Sequence, residues 1–184
     1  MNNELDCTLT PAPDRIVLRE IENTTVSSGG FFLSDDTMRN ARAAFCKVEA
    51  VGKVAAEKTG VKEGDYVFAD LLSSHYHTHP VCVIPWQGLI LLTDENRGNL
   101  KTFPGYVLLE QPEEKTTGFI AQSNEIRKGE IIQIVYPKDL KPEEVPPFKV
   151  GDTVMITSKC EVYDGFTSKP LIAMRFEEIV ARFD

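Results

Sequence analysis

The chain has 184 residues, 28 acidic and 20 basic side chains, and a formal net charge of −8 at pH 7. Hydrophobic residues make up 42% and charged residues 26%, an ordinary globular composition that excludes wholesale disorder. The acidic balance argues against a broad nucleic-acid footprint, and no apolar run reaches the roughly 18–20 residues that cross a bilayer. No basic and apolar leader opens the sequence, so we expect a soluble cytoplasmic protein.

Short apolar segments, rich in β-branched residues and separated by turn residues, follow one another along the chain and predict strands. In chain order they are Arg15–Leu18, Lys47–Val51, Asp65–Phe68, Val81–Ile84, Gly88–Leu92, Tyr106–Leu109, Ile131–Val135, Thr153–Ile156 and Leu171–Met174. Only Asp36–Ala44 has a helical pattern, and this segment is too short to be stable alone. The sequence therefore predicts an all-β fold.

The order of these segments repeats once along the chain. Four matches carry the repeat: Pro13–Glu20 with Pro104–Gln111, Gly30–Leu33 with Gly118–Ala121, Val61–Val67 with Phe148–Val154, and Val83–Ile90 with Ala173–Val180. Their offsets are 91, 88, 87 and 90 residues, which favours duplication over chance similarity between β segments. We therefore predict an extension over 1–11, a first domain over 12–95, a linker over 96–102 and a second domain over 103–184.

A Gly-Asp pair precedes one predicted strand in each half. Gly64 and Gly151 are expected to supply a turn with positive φ, and Asp65 and Asp152 to accept hydrogen bonds from nearby backbone amides. This is the chemistry of a scaffold, so we assign neither Asp a catalytic role.

The segment Glu22–Asp36 places three large apolar residues within polar and small residues. An exposed apolar tip is an aggregation liability unless it is used. Two interpretations stay open from the residues alone. Either Phe31, Phe32 and Leu33 enter an apolar groove on a partner, or they pack into this protein's own core.

These features resemble the GroES-type co-chaperonins, the chaperonin-10 family. The resemblance is carried by the order of Asp14–Leu18, the Gly-Gly segment with its apolar tripeptide, Glu49–Gly52, Val61–Asp65 and Val83–Thr93. It covers residues 12–95, and more weakly 103–184, and is similar to the tandem double-domain form known from plastids. The resemblance implies two tandem GroES-like, partly open β-barrels and a ring oligomer with seven-fold or pseudo-seven-fold symmetry.

In that family, an apolar tripeptide of a mobile loop binds a GroEL-type chaperonin that encloses folding client proteins. Carried over by the resemblance, the chaperonin-binding residues are Gly29, Gly30, Phe31, Phe32 and Leu33 in the first repeat and Gly118, Phe119, Ile120 and Ala121 in the second. Thr117 replaces the first glycine of the second segment and Ala121 is small, so we expect weaker binding there.

The first repeat also departs from the family between Gly52 and Val61, where a roof hairpin is missing. A wider opening in the dome would follow. Phage-encoded members vary at this point, so a viral source, and with it the host cytoplasm, is left open.

All three histidines of the chain, His75, His77 and His79, alternate within five residues. On one strand they would share a face and could bind a divalent metal. No carboxylate or cysteine neighbours them in the sequence, so a solvated loop is the favoured interpretation, with a pH-sensitive ring contact as a third. We expect no metal and no cofactor.

The cysteines Cys7, Cys46, Cys82 and Cys160 form no CxxC pair and are expected to be reduced and structural. No G-x-S-x-G, P-loop or H-E-x-x-H motif is present, so we expect no enzyme. The main hypothesis is a co-chaperonin that caps a chaperonin ring. The alternative is an oligomeric structural or assembly protein, such as a ring, connector or decoration protein of a virus particle.

Overall fold

The computed structural model describes residues 9–21, 43–110, 127–156, 161–163 and 171–183. The chain divides into two compact units, Met1–Asp94 and Glu95–Asp184. The described residues of each unit contain one antiparallel sheet.

Among its described residues, the first unit contains six strands and one short helix. They are β1 (Arg15–Glu20), β2 (Ala43–Val51), α1 (Lys53–Thr59), β3 (Tyr66–Asp70), β4 (Tyr76–Thr78), β5 (Val81–Pro85) and β6 (Leu89–Thr93). Single 3-10 turns follow β3 and β5, at Leu71–Ser73 and Trp86–Gly88.

The described part of the second unit begins with a two-residue strand and continues with six further strands. They are β7 (Lys101–Thr102), β8 (Tyr106–Glu110), β9 (Arg127–Ile134), β10 (Thr153–Ile156), β11 (Glu161–Tyr163), β12 (Leu171–Arg175) and β13 (Ile179–Arg182). Its 3-10 turns lie at Pro142–Glu144 and Phe176–Glu178.

The two units have the same strand order. In the first unit the sheet runs β4-β5-β1-β2-β3-β6, and in the second it runs β11-β12-β8-β9-β10-β13. The six strands correspond one to one in chain order, and neighbouring strands pair antiparallel in both sheets. The duplication in the sequence is therefore accompanied by a duplicated sheet.

The strand registers repeat as well. Leu18 pairs with Val48 on one side and Cys82 on the other, and Leu109 pairs with Ile131 and Ile172 in the same way. An irregularity follows residue 17 between β1 and β2, and a matching one follows residue 108 between β8 and β9. Because a one-residue slip would turn every side chain to the other face, matched registers place equivalent residues at equivalent points.

Each sheet has its own apolar core. In the first unit, Ile16, Leu18, Val48, Val67 and Ile84 are at most 1% exposed. In the second, one cluster of buried side chains unites Val107, Leu109, Ile131, Val154, Ile156, Ile172, Met174 and Ile179. Burial of these β-branched and Leu side chains, at about 1.5–3 kcal/mol each, is the main favourable term that holds each sheet together.

The predicted Gly-Asp turns are confirmed in both units. Gly64 has φ +89° and Gly151 has φ +91°, a backbone conformation that glycine adopts without steric cost. The carboxylate of Asp65 accepts from the amide of Lys62 at 2.8 Å, and that of Asp152 accepts from Lys149 at 3.0 Å. Both aspartates therefore act on the backbone ahead of a strand.

Helix α1 was not predicted, and the helix predicted over Asp36–Ala44 is wrong where it can be checked, because Ala43 and Ala44 belong to β2. Residues 36–42 lie outside the described residues. Helix α1 is docked at its start: the amides of Gly52 and Ala55 donate to carbonyls of β1 and the segment before it. A Cβ on Gly52 would lie 2.1 Å from the Ala12 carbonyl oxygen, so only glycine fits this approach.

The all-β prediction is confirmed, since each of the nine predicted strands overlaps an observed one. Neither sheet closes on itself among the described strands, so the GroES-like barrel remains a prediction. In the described part of the chain, no helix is both long enough and apolar enough to cross a membrane.

Candidate functional site

The residues predicted to bind a chaperonin lie outside the described residues in both repeats, but their flanks are described. The first set, Gly29 to Leu33, falls between β1 and β2; the second, Gly118 to Ala121, falls between β8 and β9. Because β1 corresponds to β8 and β2 to β9, both segments occupy the same connection of the repeated sheet.

The described flanks show where each connection begins and ends. In the first unit, Glu20 pairs with Cys46, and the amide of Ile21 donates to the Phe45 carbonyl at 3.0 Å. In the second unit, Glu110 pairs with Glu130. The chain thus leaves and re-enters each sheet at neighbouring points.

Both connections are longer than adjacency requires. They cover residues 21–42 and 111–126, whereas adjacent antiparallel strands are usually joined by about 2–5 residues. Long connections on a rigid sheet frequently carry binding residues. The length of these two connections therefore makes them candidate binding segments, in addition to the apolar residues in their sequence.

An aromatic cluster lies next to the re-entry point in the first unit. The ring of Phe45 stacks on Tyr66 with centroids 5.7 Å apart and lies 5.3 Å from Phe68. Phe45 and Phe68 are each 3% exposed, so these rings form a rigid base under the start of β2.

The histidine segment forms a short edge strand that is held by a carboxylate from β1. The Nε2 of His77 lies 2.5 Å from Glu20 Oε1, and the Nδ1 of His79 lies 3.7 Å from the same oxygen. Strand β4 ends at Thr78, so the three histidines do not share one strand. Among the described residues, no group of three or more His, Cys, Asp or Glu side chains is arranged to hold a metal ion.

Glu20 was missed by the sequence analysis, which found no carboxylate beside the histidines. It lies 57 residues from His77 and reaches that side chain because β5 pairs with both β1 and β4. The side chain of Glu20 is only 17% exposed, against 40% for His77. No local sequence signal could have found this contact; only the strand order gives it.

Trp86 and Phe176 occupy matching places, as the repeat predicted. Each begins a 3-10 turn, and each donates its amide to the turn before the first strand of its sheet, at 3.3 Å to Asp14 and 3.2 Å to Gly105. Phe176 is 6% exposed and meets the Tyr136 ring edge-on at 5.4 Å. In the second unit this aromatic position therefore has a structural role.

Comparison with protein-family models finds no match for this chain, and comparison with curated proteins finds none either.

Proposed function

We propose that this protein is a tandem co-chaperonin that caps a GroEL-type chaperonin ring and assists protein folding without making or breaking bonds. In this proposal each sheet belongs to a GroES-like barrel, the chains form a ring, and Phe31–Leu33 supplies the main apolar contact. The observation that carries the proposal is a duplicated sheet in which equivalent pairs of strands are connected by two sequence segments, each with apolar residues preceded by glycine.

The binding mechanism follows from the cost of ordering a segment. Folding on binding takes about 2–5 kcal/mol from the gross interaction energy, so one tripeptide binds only modestly. Once one tripeptide of a ring has bound, the other tripeptides are held near their sites at a high effective concentration. Weak single contacts therefore combine into tight capping. Release then responds to a small change in affinity per contact, as a nucleotide-driven change in the chaperonin would provide.

The test mixes the full chain with a GroEL-type chaperonin and ATP or ADP, and measures co-elution and chaperonin ATPase activity. Phe32→Ser removes an apolar anchor of about 2 kcal/mol from every ring position and should abolish co-elution. Phe119→Ser should have a smaller effect, because Ala121 offers the second segment less apolar surface.

Leu72→Ser is the matched control. Leu72 is 79% exposed on the 3-10 turn after β3, so the same chemical change there should leave capping intact. Circular dichroism and thermal unfolding check that each variant is folded. If Phe32→Ser co-eluted with the chaperonin as well as the unchanged protein does, the assignment of Phe31–Leu33 as a chaperonin-binding segment would be wrong. Failure of the unchanged protein to bind with either nucleotide would favour the alternative, a structural or assembly ring.

A further inference from the structure

A shallow cleft of about 610 Å³ in the second unit gathers positive charge in an acidic protein. Lys128, Lys149 and Arg182 line it, together with Asp152 and the ring of Phe183. We call this site the cationic cleft.

Three parts of the fold form the cationic cleft. Lys128 lies near the start of β9, Lys149 and Asp152 belong to the turn before β10, and Arg182 ends β13. These parts meet because β10 pairs with β9 on one side and β13 on the other. Strand pairing thus brings together cations that are up to 54 positions apart in the chain.

Among the described lining residues, the one carboxylate is Asp152, and existing contacts hold it away from a ligand. Asp152 is 11% exposed; its Oδ2 accepts from the Lys149 amide at 3.0 Å and lies 3.8 Å from Arg182 Nη1. Lys128 has its Nζ 4.4 Å from the centre of the Phe183 ring, a cation–π contact that holds this ammonium at the cleft. Among the described lining residues, three cations therefore outnumber one carboxylate that is already engaged.

The first unit provides an internal comparison, because the strand registers identify the equivalent residues. Three residues of the cationic cleft differ in character from their equivalents in the first unit. Lys128 replaces Phe45, Thr153 replaces Tyr66 and Arg182 replaces Leu92. In the first unit, the rings of Phe45 and Tyr66 stack with their centroids 5.7 Å apart and give the equivalent position an apolar surface. The turn itself is shared, with Lys62 at the position of Lys149.

The positive charge of the cationic cleft therefore does not follow from the turn that the two units share. A duplicated turn accounts for Lys149 and Asp152, but it does not account for the two further cations or for the loss of the Phe45–Tyr66 aromatic pair. A chain with a net charge of −8 repels small anions as a whole, so a local excess of cations is needed to hold one.

We propose that the cationic cleft binds a small phosphate-bearing anion. Arg and Lys side chains provide charge-assisted donors for phosphate oxygens. Because three cationic side chains line the cleft, a diphosphate, which carries more anionic oxygens than inorganic phosphate, is the ligand tested. This inference is independent of chaperonin capping, since no residue of the candidate binding segments takes part.

The test titrates the full-length protein with pyrophosphate at low ionic strength and measures binding by calorimetry and by ³¹P line broadening. Lys149→Gln should weaken binding about tenfold, the effect of losing one charge-assisted contact. Lys62→Gln is the matched control: it removes the same charge from the equivalent exposed position of the first unit and should leave the affinity unchanged.

Equal weakening by the two substitutions would overturn the proposal, because binding would then follow overall charge and not the cleft. Absence of pyrophosphate binding to the unchanged protein at millimolar concentration would overturn it as well. Both lysines are exposed, so both variants should fold, and thermal unfolding verifies this.

Discussion

Cys46 and Cys82 are buried thiols on the two strands that flank β1. Both are 0% exposed and both are free, which confirms the prediction of reduced structural cysteines for these two; Cys7 and Cys160 lie outside the described residues. A hydrogen bond with Cys82, followed by burial and the nearby charges, raises the pKa of the Cys46 thiol well above its ordinary value of 9.0. Cys46 therefore behaves as a small, unreactive hydrophobe.

This raised pKa predicts a loss of stability in alkali. The unfolded chain releases the Cys46 proton near pH 9 while the folded chain keeps it, so the contribution is present below that pH and is lost as pH rises. Above pH 9, the free energy of unfolding of the unchanged protein should fall more steeply with pH than that of Cys46→Ala. The difference in slope should be about 1.4 kcal/mol per pH unit.

Urea unfolding under reducing conditions at pH 8, 9 and 10 measures this slope in both proteins. The Cys46→Ala variant keeps every other residue, so the difference between the two proteins reports the Cys46 thiol. A difference between the two proteins that stays constant across this range would show that the Cys46 thiol titrates alike in the folded and unfolded states.

At the scale of elements, the short strand β4 depends on a contact made outside its own hairpin. It has three residues, all exposed, and pairs only with β5 among the described strands. Its second residue, His77, contacts the Glu20 carboxylate at the end of β1, and His79 lies near the same oxygen. A strand this short gains little from pairing alone, so these contacts with the Glu20 carboxylate anchor it.

Glu20→Gln should loosen β4 without unfolding the sheet. Removing a partly exposed hydrogen-bonded contact costs about 0.5–1 kcal/mol, which corresponds to about two- to fivefold faster hydrogen exchange at the amides of Tyr76–Thr78. Glu49→Gln, which removes the Arg19–Glu49 ion pair on β1 and β2, is the control and should leave those amides unchanged. Unchanged exchange in Glu20→Gln would show that the carboxylate does not anchor β4.

At the scale of the whole molecule, the repeat gives two cores that can be perturbed separately. Leu18 and Leu109 are equivalent residues. Each is fully buried and lies at the centre of its own sheet. Leu109 belongs to the buried cluster of the second unit, all of whose members come from that unit.

Leu109→Ala should destabilise the second unit by about 2–5 kcal/mol, the usual cost of a cavity left by a buried leucine. Hydrogen exchange resolved along the chain should show lost protection within residues 95–184 and retained protection within 1–94. Leu18→Ala should give the reverse pattern. If both variants lowered protection evenly along the chain, the two units would unfold as one cooperative body.

The strands and the Gly-Asp turns could be predicted because they depend on residues close together in the sequence. Short β-branched runs bounded by Gly and Pro predicted the strands, and Gly64 and Gly151 predicted the positive-φ turns. Helix α1 could not be predicted in the same way. It has seven residues, too few to be stable alone, and depends on its docking against β1 and the preceding segment.

The amino-acid sequence by itself determined the β character, the turns and the duplication, because backbone preferences and side-chain alternation act over a few residues. Only the tertiary structure decided which distant side chains meet: Glu20 with His77, Cys46 with Cys82, and Lys128 with Lys149 and Arg182. The physical reason is that strand order and register set these contacts, and both result from the packing of a whole sheet.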